Sequence, residues 1–369
     1  MKRLLMALLA LCLLLVCGSA GAEGVESAMG VERTERAGGA SPSPTGMAGA
    51  ALAEGLDSFD LSRQELAWVD GEVYAIGKPG LLGRTSVCRV TETGLVPVWS
   101  TGESLRGIYP WGNELLVVTQ RGENMNYLFG TPVTQSAFVL DLASGRAHRW
   151  QTTTEGTFMA RNGVLWRIDR DGADANCPVR AWRLTESGWE IVADFRSDAP
   201  VKSFGGFLYN DFLTLCLPPA GDNAADGLFM DADTGERFTL TGLDFGFNHL
   251  LRAVREGGQL YYLGHHGFHA VDTETGMTCT LLDYPEYAYR AFAMDDTRFI
   301  LIERDRVDVY DRVTMTLQKS IATDTYPTDC LLTGDVLYIR NQYWDMDGGG
   351  ARHFLAVIDL TDGTCTHFD

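Results

Sequence analysis

The sequence predicts an all-β chain that folds as a seven-bladed β-propeller of four-stranded antiparallel blades, and three observations predict it. A unit of two hairpins recurs seven times, its second turns lie 39 to 51 residues apart, and no long stretch shows the 3.6-residue period of a helix. One four-stranded sheet cannot cover both of its own faces. Blades arranged around an axis bury the faces of their neighbours, and ring closure leaves only short outer edges.

The first turn of each unit contains Gly, Asn or Asp, the residues that tolerate the positive φ of two-residue hairpin turns. An apolar run rich in β-branched and aromatic residues follows each turn and predicts the second strand of the blade. The seven turns are Asp70-Gly71, Gly112-Asn113, Asn162-Gly163, Asn210-Asp211, Gly257-Gly258, Asp295-Asp296 and Gly334-Asp335.

The second turn of each unit ends the third strand, in three units at Asp-x-x-Thr-Gly or a close relative. Asp accepts backbone N–H bonds in such turns, and Gly takes the left-handed conformation. The seven turns fall at Gly94, Gly145, Gly188, Gly235, Gly276, Met315 and Gly363. A large β-sandwich or a solenoid is the alternative, but the units fill the chain from residue 65 to residue 369 with none left over.

Segments 138–145, 269–276 and 357–363 resemble the repeats of bacterial extracytoplasmic β-propellers of the quinoprotein-like and WD40-like kinds. The resemblance rests on turn chemistry, so it implies the fold and no activity. Quinone-dependent enzymes of this kind carry two adjacent cysteines over the cofactor, and the sequence contains no Cys-Cys. No cofactor is therefore predicted from the resemblance.

The first 22 residues are predicted to be a signal peptide. Lys2 and Arg3 precede the 13-residue apolar run Leu4–Val16, which is too short to span a bilayer comfortably, and Ala20-Gly21-Ala22 offers a cleavage site. In the alternative interpretation Cys17 is a lipidation site, although Val16 is bulky for the preceding position. Both interpretations place the protein outside the cytoplasm, secreted or tethered to the surface of a bacterial cell.

Residues 23–55 are rich in Gly, Ala, Ser and Glu and are predicted to be a flexible linker, because they contain too little apolar surface to fold. Residues 56–369 form the predicted propeller, expected to be a monomer. No transmembrane helix is expected once the signal is removed.

The formal charge of the whole chain is −19. Without residues 1–22 the chain has 28 basic and 49 acidic residues, a charge of −21. Such a surface argues against nucleic acid and anionic membranes as partners.

Six cysteines follow the signal: Cys88, Cys177, Cys216, Cys279, Cys330 and Cys365. In an exported protein they can oxidise, and Cys177 with Cys216 is one candidate pair. Several of the others lie in apolar strand patterns, which equally favours buried free thiols.

Topology predicts one decorated face and one plain face. Two connections lie at one end of each blade: the loop between the second and third strands, and the crossover to the next blade. Both tight turns lie at the opposite end. Loops carry most binding chemistry, so the ligand is expected at the loop end. Tyr343 and Trp344 lie in one of these loops and offer flat apolar contact with a polar edge.

Cations at the starts of the first strands give a second candidate site, at the mouth of the axial channel. Five residues fall there: Arg106, Lys202, His249, Arg290 and Asp329. The three permanent cations among them, Arg106, Lys202 and Arg290, could hold an anionic group in an otherwise acidic protein.

Two candidate metal sites are weaker. Asp169, Asp171 and Asp174 alternate around Gly172 and could wrap oxygen ligands around Ca²⁺, but they lack the downstream Glu of an EF-hand, and a solvated acidic turn is the interpretation we favour. The cluster 265–269 contains three histidines, for which we favour a structural role over Zn²⁺ binding because neighbours on an extended chain point opposite ways.

The leading functional hypothesis is a non-catalytic module that binds a protein, peptide or glycan on its loop face. The sequence shows no nucleophile elbow, no zinc-protease helix and no phosphate loop. The alternative is an extracellular polysaccharide hydrolase or lyase with an acidic axial site, since carboxylates are plentiful and a propeller supports either class.

Overall fold

A computed structural model describes fourteen stretches of the 369-residue chain. The stretches are residues 64–77, 84–121, 134–154, 156–161, 163–170, 178–196, 206–209, 212–219, 225–231, 237–243, 253–264, 266–285, 288–341 and 353–369. All regular secondary structure in these stretches is β-strand, and none of them contains a helix long and apolar enough to cross a membrane. The all-β prediction is confirmed.

Within the described residues the strands form seven four-stranded antiparallel sheets, each with its strands side by side in chain order. We number the sheets 1 to 7 along the chain. Sheet 1 consists of β1 (Leu66–Val69), β2 (Glu72–Ile76), β3 (Thr85–Thr91) and β4 (Gly94–Thr101). Sheet 2 consists of β5 (Ser104–Trp111), β6 (Glu114–Arg121), β7 (Thr134–Asp141) and β8 (Arg146–Thr153).

The other five sheets follow the same plan. Sheet 3 consists of β9 (Thr157–Arg161), β10 (Val164–Arg170), β11 (Pro178–Thr185) and β12 (Gly188–Arg196). Sheet 4 consists of β13 (Gly206–Tyr209), β14 (Phe212–Pro219), β15 (Ala225–Asp231) and β16 (Arg237–Leu243). Sheet 5 consists of β17 (Ala253–Glu256), β18 (Gln259–Leu263), β19 (Gly267–Asp272) and β20 (Thr278–Asp283). Sheet 6 consists of β21 (Ala291–Met294), β22 (Arg298–Ile302), β23 (Arg306–Asp311) and β24 (Leu317–Ala322). Sheet 7 consists of β25 (Pro327–Thr333), β26 (Val336–Asn341), β27 (Leu355–Asp359) and β28 (Cys365–Phe368).

The first strands of sheets 6, 7, 1, 2 and 3 lie next to one another in that order. Strand β21 contacts β25, β25 contacts β1, β1 contacts β5, and β5 contacts β9. The backbone N–H of Ile108 in β5 also donates to the carbonyl of Gln64 beside β1, at 2.8 Å. The first strands of these five sheets therefore form the inner layer, and the last sheet lies beside the first.

Burial falls from the inner strands to the outer ones. Six consecutive residues of β6 are buried, whereas β8 at the outer edge of the same sheet is mostly exposed. Apolar side chains from neighbouring sheets meet between them; Leu115 and Val117 of sheet 2 pack in one cluster with Tyr74 and Val87 of sheet 1. Packing of sheet on sheet thus covers the faces that no single sheet can cover.

The second turns have the predicted chemistry wherever the structure describes them. Asp141, Asp272, Asp311 and Asp359 each accept backbone N–H bonds and a Ser or Thr hydroxyl bond from residues two or three positions later. The turn residue that follows has positive φ in all six described units: Gly94, Gly145, Gly188, Gly276, Met315 and Gly363. The seventh, Gly235, lies outside the described residues. These turns are therefore locally encoded.

These turns predict a loss of stability in acid. Hydrogen bonds from Ser144 and Thr361 lower the pKa of Asp141 and Asp359, and the backbone N–H groups of Thr275 and Thr314 do the same for Asp272 and Asp311. A carboxyl whose pKa is lower in the folded state stabilises the fold above its unfolded pKa, 3.8 for Asp. That contribution is lost as the pH falls through the folded values.

We therefore expect the free energy of unfolding, measured in urea between pH 6 and pH 2.5, to fall most steeply below about pH 4. The variant Asp272→Asn should flatten that fall. The variant Asp296→Asn, at an exposed aspartate in a first turn, should not change it. An equal slope for the two variants would contradict the assignment.

Four cysteines in the described residues are free thiols. Cys88 and Cys330 are buried in the sheets, as the apolar strand patterns indicated, whereas Cys279 is exposed and Cys365 half-buried. Burial raises the pKa of the Cys88 thiol to about 11, so this thiol stays protonated and unreactive at neutral pH. Cys177 lies outside the described residues and nothing is described of the Cys216 side chain, so a bridge between them stays a prediction.

Candidate functional site

The two ends of the sheets differ in chemistry. Loops and crossovers leave at the loop end, where first and third strands begin and second and fourth strands end. In the part of the chain that the structure describes, all fourteen buried polar or charged residues lie in the loop-end half of their strand or just beyond it. They are Glu65, Arg106, Thr119, Gln120, Gln135, Ser136, Thr153, Asp169, His269, Asp308, Thr325, Asp329, Arg340 and Asn341. The turn-end half is built of apolar core and local turns.

Buried polar groups at the loop end connect one sheet with the next. In sheet 2 the Gln135 amide donates to Gln120 at 3.3 Å, and its oxygen accepts the backbone N–H of Phe158 in sheet 3 at 2.9 Å. The hydroxyl of Thr119 donates to Glu103 at 2.5 Å. These bonds satisfy polar groups that would otherwise be costly to bury, and they fix the strand ends from which the loops start.

Sheet 6 holds a second buried polar network around Asp308. Its carboxylate accepts bonds from the hydroxyls of Tyr289 at 2.7 Å and Ser320 at 2.6 Å, and from Nε of Arg306 at 2.9 Å. Burial, followed by the bond to Asp308, raises the pKa of Tyr289. Three protein donors surround the Asp308 carboxylate, so we assign this network to stabilising sheet 6.

Arg290 and Tyr326 meet at the loop end of sheets 6 and 7. Each residue precedes a first strand, β21 and β25, and those strands are neighbours. The Arg290 guanidinium lies 4.7 Å from the centre of the Tyr326 ring and donates to the Tyr326 hydroxyl at 3.3 Å. Arg290 is one of the predicted axial cations, and both side chains are half-buried. The pair can offer a charged fork backed by an aromatic surface.

The other described residues of the predicted axial group are buried. Arg106 lies where β5 has a bulge opposite β6. Asp329 is 1 % exposed, and its carboxylate accepts the backbone N–H groups of Glu65, Leu66 and Cys330 at 2.8 to 2.9 Å. Asp329 therefore joins the last sheet to the first. Lys202 and His249 lie outside the described residues.

Of the three aspartates predicted to bind Ca²⁺, Asp169 lies within the described residues. Asp169 is buried, accepts the indole N–H of Trp182 at 2.7 Å and lies 3.3 Å from a guanidinium nitrogen of Arg167. Asp171 and Asp174 lie outside the described residues. Among described side chains no group of three His, Cys, Asp or Glu residues is placed to hold a metal ion. Calcium binding by the three aspartates stays a prediction.

His269 packs inside sheet 5. It is buried, its ring stacks on Tyr262 with the centroids 4.9 Å apart, and Nδ1 lies 3.2 Å from the Thr280 hydroxyl. His265 is outside the described residues, while His266 is exposed. These surroundings agree with the structural role that we favoured for this histidine.

Sequence reasoning missed Tyr326 and Asn341. The predicted aromatic residues were Tyr343 and Trp344 in the loop after β26, which lies outside the described residues. Tyr326 donates its backbone N–H to the side-chain oxygen of Asn341, at 2.9 Å. The available signal was positional: Tyr326 immediately precedes a first strand, as Arg290 does in the preceding unit.

Comparison with known proteins supports the fold. No protein-family model matches the sequence, and no curated protein matches it. Among solved structures, puromycin hydrolase is similar at 14 % identity with a TM-score of 0.56; the match covers 87 % of this chain and 56 % of that one. The chain therefore spans little more than half the length of that enzyme.

Two further solved structures are β-propeller proteins. Sqt1 from Saccharomyces cerevisiae has 9 % identity and a TM-score of 0.48, with 85 % of both chains covered. BamB from Moraxella catarrhalis has 13 % identity and a TM-score of 0.43, with 74 % of this chain and 80 % of that one covered. At such identities a likeness concerns the fold alone, and the all-β architecture of four-stranded antiparallel sheets is shown by the strands of this chain.

Proposed function

We propose that this chain is a closed seven-bladed β-propeller that works outside the cytoplasm of a bacterium as a non-catalytic binding module. Residues 1–22 direct its export, residues 23–55 are a linker, and the propeller is a monomer. It binds a protein, peptide or glycan on its loop face. Whether Cys17 is lipidated decides between a tethered and a free form.

The observation that carries the proposal is the difference between the two ends of the sheets. Polar side chains are costly to bury, so a core could be built of apolar residues alone. Here the described buried polar groups gather at the end where loops leave, and the other end closes in tight turns. A framework that fixes strand ends so firmly supports loops that hold a ligand.

The alternative, a polysaccharide hydrolase or lyase, needs two carboxylates facing a pocket. The buried carboxylates among the described residues all accept hydrogen bonds from the protein itself; they are Glu65, Asp169, Asp308 and Asp329. Nothing in the described residues favours a hydrolase or lyase over a non-catalytic binding module.

The test compares the two faces. The purified protein is screened on peptide and glycan arrays and in pull-downs, and any bound ligand is checked for turnover. The loop-end variants Tyr343→Ala and Trp344→Ala are expected to weaken binding at least about 10-fold, as central aromatic anchors do. Met277→Ser and Val313→Ser, at turn-end residues that are 74 % and 77 % exposed, should bind like the original protein.

Two results would contradict the proposal. If the turn-end variants lost binding and the loop-end variants kept it, the binding face would be the wrong one. If a bound glycan or peptide were cleaved, the protein would be an enzyme.

A further inference from the structure

We infer that Arg290, stacked on Tyr326, binds a single carboxylate group of a peptide or protein ligand. The inference rests on the proposed function, because it names the ligand chemistry of one part of the loop face. It concerns the loop end between sheets 6 and 7, where the two residues precede neighbouring first strands.

Three other arginines of sheet 6 are paired with acids. Arg298 contacts Asp295 and Asp335 at 2.6 and 2.7 Å, and Arg306 contacts Asp308 at 2.9 Å. Arg312 forms an ion pair with Glu256. These arginines join turns, strands and sheets, so their charges are already used.

Arg290 differs from these arginines. In the described part of the chain its guanidinium has no carboxylate within ion-pair distance, and its contacts are the ring and hydroxyl of Tyr326. A half-buried guanidinium without an anion has lost water and gained little in return. Such a charge, in a chain of net charge −19, is suited to an anion that none of the described residues supplies.

The backbone around the pair is fixed before any ligand arrives. The Arg290 N–H donates to the carbonyl of Ile302 at 2.8 Å, and the Tyr326 N–H donates to Asn341. Thr325 is fully buried and bonds the carbonyls of Glu303 and Arg304. A site held in this way loses little conformational entropy on binding, which favours affinity.

Geometry and charge select the ligand. One guanidinium nitrogen of Arg290 reaches Tyr326, and the fork leaves further N–H groups for the two oxygens of a carboxylate. The net negative charge of the protein would strongly repel a polyanion such as an acidic polysaccharide. It repels a single carboxylate much less. A peptide terminus or an Asp or Glu side chain therefore fits best.

The experiment uses a peptide array printed in two matched forms. One form has free C-terminal carboxylates and Asp and Glu side chains; the other is amidated and has Asn and Gln in their place. We expect the protein to retain the carboxylate form, and Arg290→Gln to bind it about 10- to 100-fold more weakly, as expected for a lost charge-assisted bond. Arg146→Gln removes an exposed cation at the turn end and should change nothing.

Every outcome decides the inference. Equal binding of the two peptide forms, or unchanged binding by Arg290→Gln, would overturn it. Retention of glycans without any peptide would reject it and leave the proposed function standing, while retention of no ligand of any class would reject both. If thermal melting shows that Arg290→Gln does not fold, Arg290→Lys is used instead. Lysine keeps the positive charge but loses the two-pronged guanidinium. This variant should bind carboxylate peptides several-fold more weakly than the original protein does.

Discussion

Replacing Asp329 with Ala is expected to lower the free energy of unfolding by about 3 to 5 kcal/mol. The carboxylate of this buried residue accepts three backbone N–H groups, of which those of Glu65 and Leu66 lie at the start of sheet 1, 264 and 263 residues away in the sequence. Alanine would leave these donors buried with no acceptor. Each such group costs roughly 1 to 3 kcal/mol.

Urea unfolding followed by tryptophan fluorescence, at pH 7, measures the effect. The control is Asp296→Ala, which removes an exposed aspartate in sheet 6 and should change the free energy of unfolding by less than about 0.5 kcal/mol. A loss of less than about 1 kcal/mol for Asp329→Ala would mean that water or another group replaces the carboxylate.

The reason for this large effect is the way the first and last sheets are joined. In the described residues each sheet consists of four strands consecutive in the chain, so no strand is shared between sheet 7 and sheet 1. Side chains make the junction instead: besides Asp329, the Thr328 hydroxyl donates to Glu65 at 2.5 Å and Nε of Arg340 to the carbonyl of Ile76 at 3.2 Å. The fold is therefore sensitive to single polar residues at this junction.

The sequence could predict the repeat because its signals are local. A turn such as Asp272 to Gly276 contains its own acceptor, donors and left-handed residue within five positions. Strand alternation is equally local, so the strands and their order within a blade could be read directly. Even Met315, where the pattern lacks glycine, adopts the positive φ that its position in the repeat indicates.

The candidate site could be predicted only in part, because its contacts join distant residues. Arg290 directly precedes the first strand β21, a position that the repeat gives, but its partner Tyr326 is 36 residues away in the next unit. Asp329 was grouped with the axial cations, although its carboxylate faces the backbone N–H groups of Glu65 and Leu66 at the start of sheet 1. No spacing rule within one unit contains that information.

A second large effect is expected at Gly156, just before β9. Its φ is +77°, and a Cβ atom added there would lie 2.2 Å from the carbonyl oxygen of Ile168 and 2.9 Å from Cβ of Asp169. Ile168 is opposite Thr157 in the ladder between β9 and β10 and opposite Ala181 in the next one. Because both neighbouring strands hold the Ile168 backbone, it cannot retreat without breaking ladder hydrogen bonds.

Gly156→Ala should therefore lower the free energy of unfolding by about 3 kcal/mol or more, the sum of left-handed strain and a backbone clash. Gly71→Ala separates the two causes. Gly71 has nearly the same φ, +81°, but no atom within 4 Å of an added Cβ, so strain alone should cost about 1 to 2 kcal/mol. Urea unfolding of the two variants under the same conditions gives the difference. If the two variants lost the same free energy of unfolding, the backbone next to β9 would be able to shift to accommodate the added methyl group. This part of the loop end would then be less rigid than its hydrogen bonds indicate.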